Sequence, residues 1–317
     1  MQMQGSNFTL RELCEWTGVS RASYYRRWHR QQPSEEKMAV RDRLQRLALK
    51  NRHNGYRTLT KLLRREGLVV NSKRVRRLMQ IDNLLSIRRK RFVVTTQSAA
   101  DQQVYPNLAR RMKVTGLDQL WVADITYVRL RVEFIYVAIV LDVCSRRVVG
   151  WSIGRKLDSR LAQDALRKAV ERRNPKPGLV HHSDRGWQYA CGEYLALLKD
   201  FGFEASMSRP GNPWDNAFAE SFMKTLKGEE VDGRVYPTLE QARESIEGFI
   251  EGFYNSERLH SRLGYQSPIE FEATLKTTLD VSNFDERGML SEAGEGRGLL
   301  SPSLVLPSPA QNNNGVI

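Results

Sequence analysis

Around residue 118 the hydrophobic pattern changes period, and that change limits what the chain can fold into. Before it, apolar residues recur at helical spacing among basic ones. After it, residues 119–130, 133–144 and 147–153 are rich in Val, Ile, Tyr and Trp, as strands are. Their short links suggest an antiparallel meander. Asp158 can cap a helix reaching Arg173, and residues 179–182 read as a short buried strand. Residues 194–201 read as helix, 204–207 as a short extended piece and 213–229 as helix. A further helix is expected from Thr238 to Tyr254. Three strands followed by alternating helix and strand predict an α/β fold, a mixed sheet flanked by helices. After Leu279 periodicity is lost, and a tail rich in Gly, Ser, Pro and Asn reads as disordered.

The first part of the chain reads as two helical modules. Thr9 can cap a helix through Thr17, Gly18 ends it, and Ser20 caps a second helix towards Arg30. The second helix carries Arg21, Arg26 and Arg27. A Gly55-Tyr-Arg start leads a helix to Glu66, with Leu59, Leu62 and Leu63 on one face. Asn71 then caps a helix that turns Val75, Leu78 and Met79 inward and Lys73, Arg74, Arg76 and Arg77 outward. Each pair fits a helix-turn-helix, whose second helix can meet phosphates or base edges. A helical hairpin with a solvated basic face fits too.

Charge placement favours the first reading. Residues 1–92 hold 23 basic and 7 acidic residues, and the remainder holds 27 and 29. The whole positive excess therefore precedes the period change, as expected of a polyanion binder. Residues 88–112 read as a connector, opening on the basic run Arg88-Arg-Lys-Arg91 and broken by Pro106. No run of about 18 apolar residues offers a membrane span, and the polar N-terminus lacks a signal core. The cysteines Cys14, Cys144 and Cys191 are scattered, without a C-x-x-C, so neither a disulfide framework nor a zinc site is expected.

Three carboxylates carry the candidate chemistry. Asp124 lies in the apolar run Leu120-Trp-Val-Ala-Asp124-Ile, where an acid is costly unless paired or metal-bound. It could instead face outward near a sheet edge. Asp142, in Val140-Leu-Asp-Val143, is a second embedded acid, either a ligand in its place or a partner for Arg146 or Arg147. Asp184 ends the strand at His182-Ser-Asp184-Arg-Gly, where sites form in open α/β sheets, yet Asp-x-Gly also favours a simple turn. Glu220 follows Asp184 with 35 residues between them, inside a helix that Asn212 would cap and Pro213 would start, with Asp215 as capping-box partner. Asn216, Glu220, Lys224 and Lys227 share a stripe, and Glu220 with Lys224 could be only a surface ion pair. Converging acids would repel one another unless cations occupied the spot, and hard divalent ions fit oxygen ligands.

Taken in order, Trp121-x-x-Asp124-x-Thr-Tyr, His182-Ser-Asp184-x-Gly and Asp215-Asn-Ala-x-Ala-Glu220-Ser resemble the OrfB-type insertion-sequence transposases. These belong to the DDE superfamily, with the retroviral integrases. The resemblance runs from about Thr9 to Glu272 and includes Phe253-Tyr-Asn-x-x-Arg258-x-His260. It implies a ribonuclease H-like catalytic core, a mixed five-stranded sheet flanked by helices, preceded by all-α helix-turn-helix modules. The implied domains are 1–50 and 51–92 for the modules, 93–112 for a linker, 113–278 for the core and 279–317 for the tail.

The resemblance selects Asp124 over Asp142. It implies that Asp124, Asp184 and Glu220 are catalytic and hold two Mg²⁺ (or Mn²⁺) ions. Lys227 would contact the donor DNA end, and Asn216 would support the site or touch DNA. Arg21, Arg26, Arg27, Lys73, Arg74, Arg76 and Arg77 would bind DNA, while Arg258 and His260 would either touch DNA or cap a helix end. The implied activity is metal-dependent cleavage at insertion-sequence ends, then strand transfer of the freed 3′-OH. The implied partners are terminal inverted repeats, target DNA, further copies of the chain and a helix-turn-helix product of an upstream frame, in a bacterial cytoplasm at the nucleoid. A DNA-binding remnant and a nuclease that cuts without joining are the competing readings.

Overall fold

The computed structural model describes residues 9–28, 35–86, 105–209 and 213–289. The chain divides into two compact units, Met1–Arg88 and Arg89–Ile317.

In the first unit, α1 (Leu10–Thr17) starts on a capping box between Thr9 and Glu12 and stops at Gly18, which takes the left-handed φ of 65°. The Ser20 hydroxyl accepts the Ser23 N–H at 3.1 Å and opens α2 (Arg21–Trp28). A helix absent from the sequence-based expectation follows, α3 (Glu35–Lys50). Its Val40, Leu44 and Ala48 build one core with Leu59 and Leu63 of α4 (Tyr56–Arg65) and Val75 and Met79 of α5 (Ser72–Ile81). Arg43 pairs with Glu66 and Arg41 with Asp82, fastening α3 to the ends of α4 and α5. The boundary expected at residue 50 is therefore displaced, because α3 packs with the helices that follow it.

In the second unit, β1 (Leu120–Arg129), β2 (Phe134–Asp142) and β3 (Val148–Gly154) form the antiparallel meander. β4 (Val180–Ser183) and β5 (Glu204–Met207) extend it in parallel, in the order β3-β2-β1-β4-β5. Alternation along β1 sends Leu120, Val122 and Val128 to one face and Trp121 and Ala123 to the other. The second face is covered by α6 (Ser159–Arg173), the short α7 (Trp187–Ala190) and α8 (Gly192–Asp200). The first is covered by α9 (Ala217–Leu226) and α10 (Leu239–Glu247). This is the expected ribonuclease H-like fold, a mixed five-stranded sheet between helices.

Three segments depart from expectation. The end of the assumed linker belongs to the core: the Leu108 N–H donates to Ser206 Oγ at 2.9 Å, and Ala109 and Met112 pack inward. The helix expected over 213–229 is a 3₁₀ turn (Pro213–Asn216), then α9, then a π-helical segment (Lys227–Val231). Likewise α10 passes into a π segment (Gly248–Tyr254). Beyond it, α11 (Pro268–Met289) runs past the start of the expected disordered tail, and residues 290–317 lie outside the described residues. Among the described residues no helix is long and apolar enough to cross a membrane.

Candidate active site

The site begins where a sheet edge runs on past its neighbouring strand. β4 pairs with β1 only from Leu120 to Val122, so further along β1 the edge groups need other partners. The Ala123 carbonyl accepts from Asn216 Nδ2 at 3.0 Å, and the Ile125 N–H donates to Asp124 Oδ1 at 2.9 Å. Asp124 is thus fixed on a strand whose edge is closed by side chains. Burial, then the charges of Asp184 and Glu220, push its pKa up to about 8, against the Ile125 hydrogen bond and Lys227.

Asp184 follows β4 directly. Its Oδ1 accepts the Gly186 N–H at 2.9 Å, the tight turn that Asp-x-Gly suggested, and burial raises its pKa. A Cβ on Gly186 would press on this carboxylate and on Gln188 Oε1, so a side chain there would make both shift. β1 and β4 are adjacent and parallel, which is how two acids 60 residues apart become electrostatic neighbours.

Glu220 projects from the start of α9, and its Oε2 accepts from Lys224 Nζ at 3.2 Å. Lys227, at the junction of α9 with the π segment, lies over the Tyr127 ring, its Nζ 4.1 Å from the centroid. Burial lowers its pKa, while Asp232 and Asp124 oppose the shift. Asn216, expected to support the site or touch DNA, is 5% exposed and holds the Asp124 strand, so its contact is with protein. Asn212 lies outside the described residues. Arg209 takes Asp215 through Nε and Nη2, at 2.9 and 3.0 Å, and drives its pKa well below the carboxylate range.

Asp142 is fully buried and structural. Its carboxylate accepts from the backbone N–H groups of Asp118 (2.7 Å) and Ser145 (2.8 Å), and neither the Arg146 nor the Arg147 guanidinium pairs with it. The two histidines beside Asp184 are structural too. His181 bonds Tyr194 and His182 bonds Ser206 and Ser208, and burial lowers their pKa values to about 3 and about 4. Arg258 forms a two-pronged pair with Glu229 at 3.1 and 2.9 Å, tying the loop after the second π segment to the first. Asn255, to which the sequence alone gave no role, is fully buried and bonds both the N–H and C=O of Val148 at 3.0 Å. Its only signal was its place in the Phe-Tyr-Asn motif.

Among the described residues no three His, Cys, Asp or Glu side chains are placed together to hold a metal ion. Asp124, Asp184 and Glu220 are coupled through their charges without forming a closed cage. On the first unit, Arg21, Lys73, Arg74, Arg76 and Arg77 are exposed on α2 and α5. Arg26 and Arg27 lie in α2, but their side chains are outside the described residues.

Two integrase core domain families match residues 115–213 and 201–268, and an HTH-like domain matches 35–92. The transposase for insertion sequence element IS904 of Lactococcus lactis is 37% identical over 70% of this chain and 88% of its own length. The insertion element IS600 uncharacterized 31 kDa protein of Shigella sonnei is 36% identical over 82% and 97%. Transposase InsF for insertion sequence IS3A of Escherichia coli is 32% identical over 84% and 95%. Among solved structures, the HTLV-2 integrase catalytic core domain in complex with magnesium has a TM-score of 0.39 at 13% identity, covering 49% of this chain and 96% of that one. The fold and the family matches define an enzyme with an integrase core. The chain belongs to the IS3-family insertion-sequence transposases of the DDE type, and its function is DNA transposition and integration.

Proposed function

We propose that Asp124, Asp184 and Glu220 form the reaction centre, in which DNA is cut at the ends of an insertion sequence and the freed 3′-OH is joined to target DNA. The observation that carries this is the placement of Asp124 on β1 and Asp184 at the end of the adjacent parallel β4, each carboxylate fixed by a backbone N–H, with burial and the charges of Asp184 and Glu220 making Asp124 costly to ionise. Three carboxylates are hard oxygen donors, and a divalent cation would reverse that cost. The donor set therefore fits Mg²⁺ or Mn²⁺, with Glu220 turning from Lys224 to join the two aspartates. When bound, two such ions would activate the attacking oxygen and offset charge on the leaving oxygen.

The chain's own groups do the rest. Asn216 and the Ile125 N–H hold Asp124, and the Gly186 N–H holds Asp184. Lys227, steadied by Tyr127, offers a cation to a phosphate of the donor end. Water attacks the phosphodiester at the element end, and the bond to the 3′ oxygen breaks. That hydroxyl then attacks a target phosphodiester, so one ester forms as another is lost. No covalent enzyme intermediate is needed.

The exposed basic residues of α2 and α5 serve as phosphate and base contacts on the terminal repeats. Joining two ends calls for more than one copy of the chain, and an upstream-frame partner would add a further helix-turn-helix. The setting is the bacterial cytoplasm, on nucleoid DNA. The test uses labelled duplex bearing an element end, the full chain and Mg²⁺. Asp124→Asn and Asp184→Asn should bind this DNA and leave it uncut. Cleavage at the wild-type rate by either variant would refute the assignment.

A further inference from the structure

The turn between β2 and β3 places Arg146 in the left-handed region, at φ 62°. Glycine or asparagine would hold that backbone at less cost. The Arg146 guanidinium is half-buried, 4.2 Å from the centre of the Phe218 ring. Among the described residues no carboxylate pairs with it. The groups acting on it are Tyr254 and the like-charged Arg262, and burial lowers its pKa. Arg262 is exposed on a 3₁₀ turn, Ser261–Leu263. Beside them, His260 feels both Arg146 and Arg258, and its buried Nε2 has no hydrogen-bond partner. Arg258 is already committed to Glu229. Arg146 and His260 therefore keep, side by side, hydrogen-bonding capacity that no described residue uses.

Two simpler roles fit Arg146 less well. A cation–π contact with Phe218 does not require a strained backbone. An arginine kept for solubility would lie in water and away from Arg262. A desolvated guanidinium beside a like charge is unfavourable until an anion joins it. Phe218 lies two residues before Glu220, so the cluster flanks the helix that carries the third acid.

The geometry points to a phosphate site outside the carboxylate centre: Arg146 and Arg262 together bind a backbone phosphodiester of the DNA on which the chain acts. Arginine suits this ligand because its planar fork meets two phosphate oxygens at once. The inference rests on the DNA-cutting reading, so its test separates the two. Binding of the full-length chain to duplex DNA is measured over a salt series without divalent metal, where no chemistry occurs. The variants are Arg146→Gly, which suits the left-handed turn, and the exposed Arg262→Gln. Glu220→Gln is run beside them and reports only on the reaction centre.

Each arginine variant should bind roughly tenfold more weakly. Each should also lower the slope of log affinity against log salt by about one. Element-end DNA and unrelated duplex are compared. A loss confined to the first assigns the site to the donor end, and a loss with both assigns it to any duplex. Either supports the site. Melting of Arg146→Gly should stay at or above wild type; if it falls markedly, Arg262→Gln decides alone. Unchanged affinity and salt slope in Arg262→Gln with both DNAs would overturn the proposal, whatever Glu220→Gln does to cleavage.

Discussion

Asp124 ionises near its usual 3.8 in the unfolded chain and at about 8 in the folded one. Between those values the unfolded chain binds fewer protons, so this residue lowers stability as pH rises from about 4 to about 8. Without divalent metal, Asp124→Asn should therefore melt higher than wild type at pH 8, by at least about 2–4 °C, the shift expected per kcal/mol in a unit of this size. At pH 4 the two should converge. Added Mg²⁺ should raise the wild-type melting temperature at pH 8 and leave the variant unmoved. Equal melting curves at both pH values, recorded by calorimetry, would contradict the raised pKa. Gly186→Ala should cut the cleavage rate at least about tenfold while DNA binding holds, because the added Cβ displaces the Asp184 carboxylate; a normal rate would show the turn to be tolerant. Motif order singled out these acids as candidates. What stayed illegible was the choice between Asp124 and Asp142 on chemistry alone. Both are embedded acids, and only the fold shows that Asp142 spends its oxygens on the backbone of Asp118 and Ser145.

Elements were legible where pattern and caps agreed. Asp158 caps α6 as expected, with the Leu161 N–H on its carboxylate at 3.1 Å. α3 went unread although Ser34 and the acids Glu35 and Glu36 offer a start signal, because its apolar stripe of Val40, Leu44, Leu47 and Ala48 is set among many Lys, Arg, Glu and Asp residues. The π segments were illegible for another reason. A π turn is a tertiary compromise, here fixed by the Arg258–Glu229 pair and by Asn255. Asn255 supplies what a neighbouring strand would supply, one donor and one acceptor for Val148. Asn255→Ala should leave both backbone groups buried and unpaired, at a cost of about 2–4 kcal/mol in denaturant unfolding. A loss below about 0.5 kcal/mol would mean that water reaches the gap. Gly150 lies against α6, where a Cβ would collide with the Ala165 carbonyl, so β3 and α6 approach closely only because this position is bare.

At the scale of the whole molecule, charge and chemistry occupy different units. The basic excess belongs to residues 1–92, whereas the acids lie in the ribonuclease H-like unit. Within that unit Glu272 of α11 is shared by Arg147 and Arg173, at 2.7 and 2.8 Å, with the Glu272 and Arg173 side chains under a tenth exposed. Glu272→Gln would leave Arg147 without its carboxylate and Arg173 with Asp118 as its remaining partner. It should cost about 1–3 kcal/mol and detach α11 first, read as early hydrogen exchange along Pro268–Met289. Uniform exchange would deny α11 that role. The central claim is that Glu220 acts with the two aspartates although it leans on Lys224. The most direct measurement follows joining of a labelled, pre-cleaved element end to target DNA with Mg²⁺ or Mn²⁺, comparing wild type with Glu220→Gln. The account predicts metal-dependent joined product from wild type and none from the variant, with DNA binding retained. Joining by Glu220→Gln at the wild-type rate would contradict it.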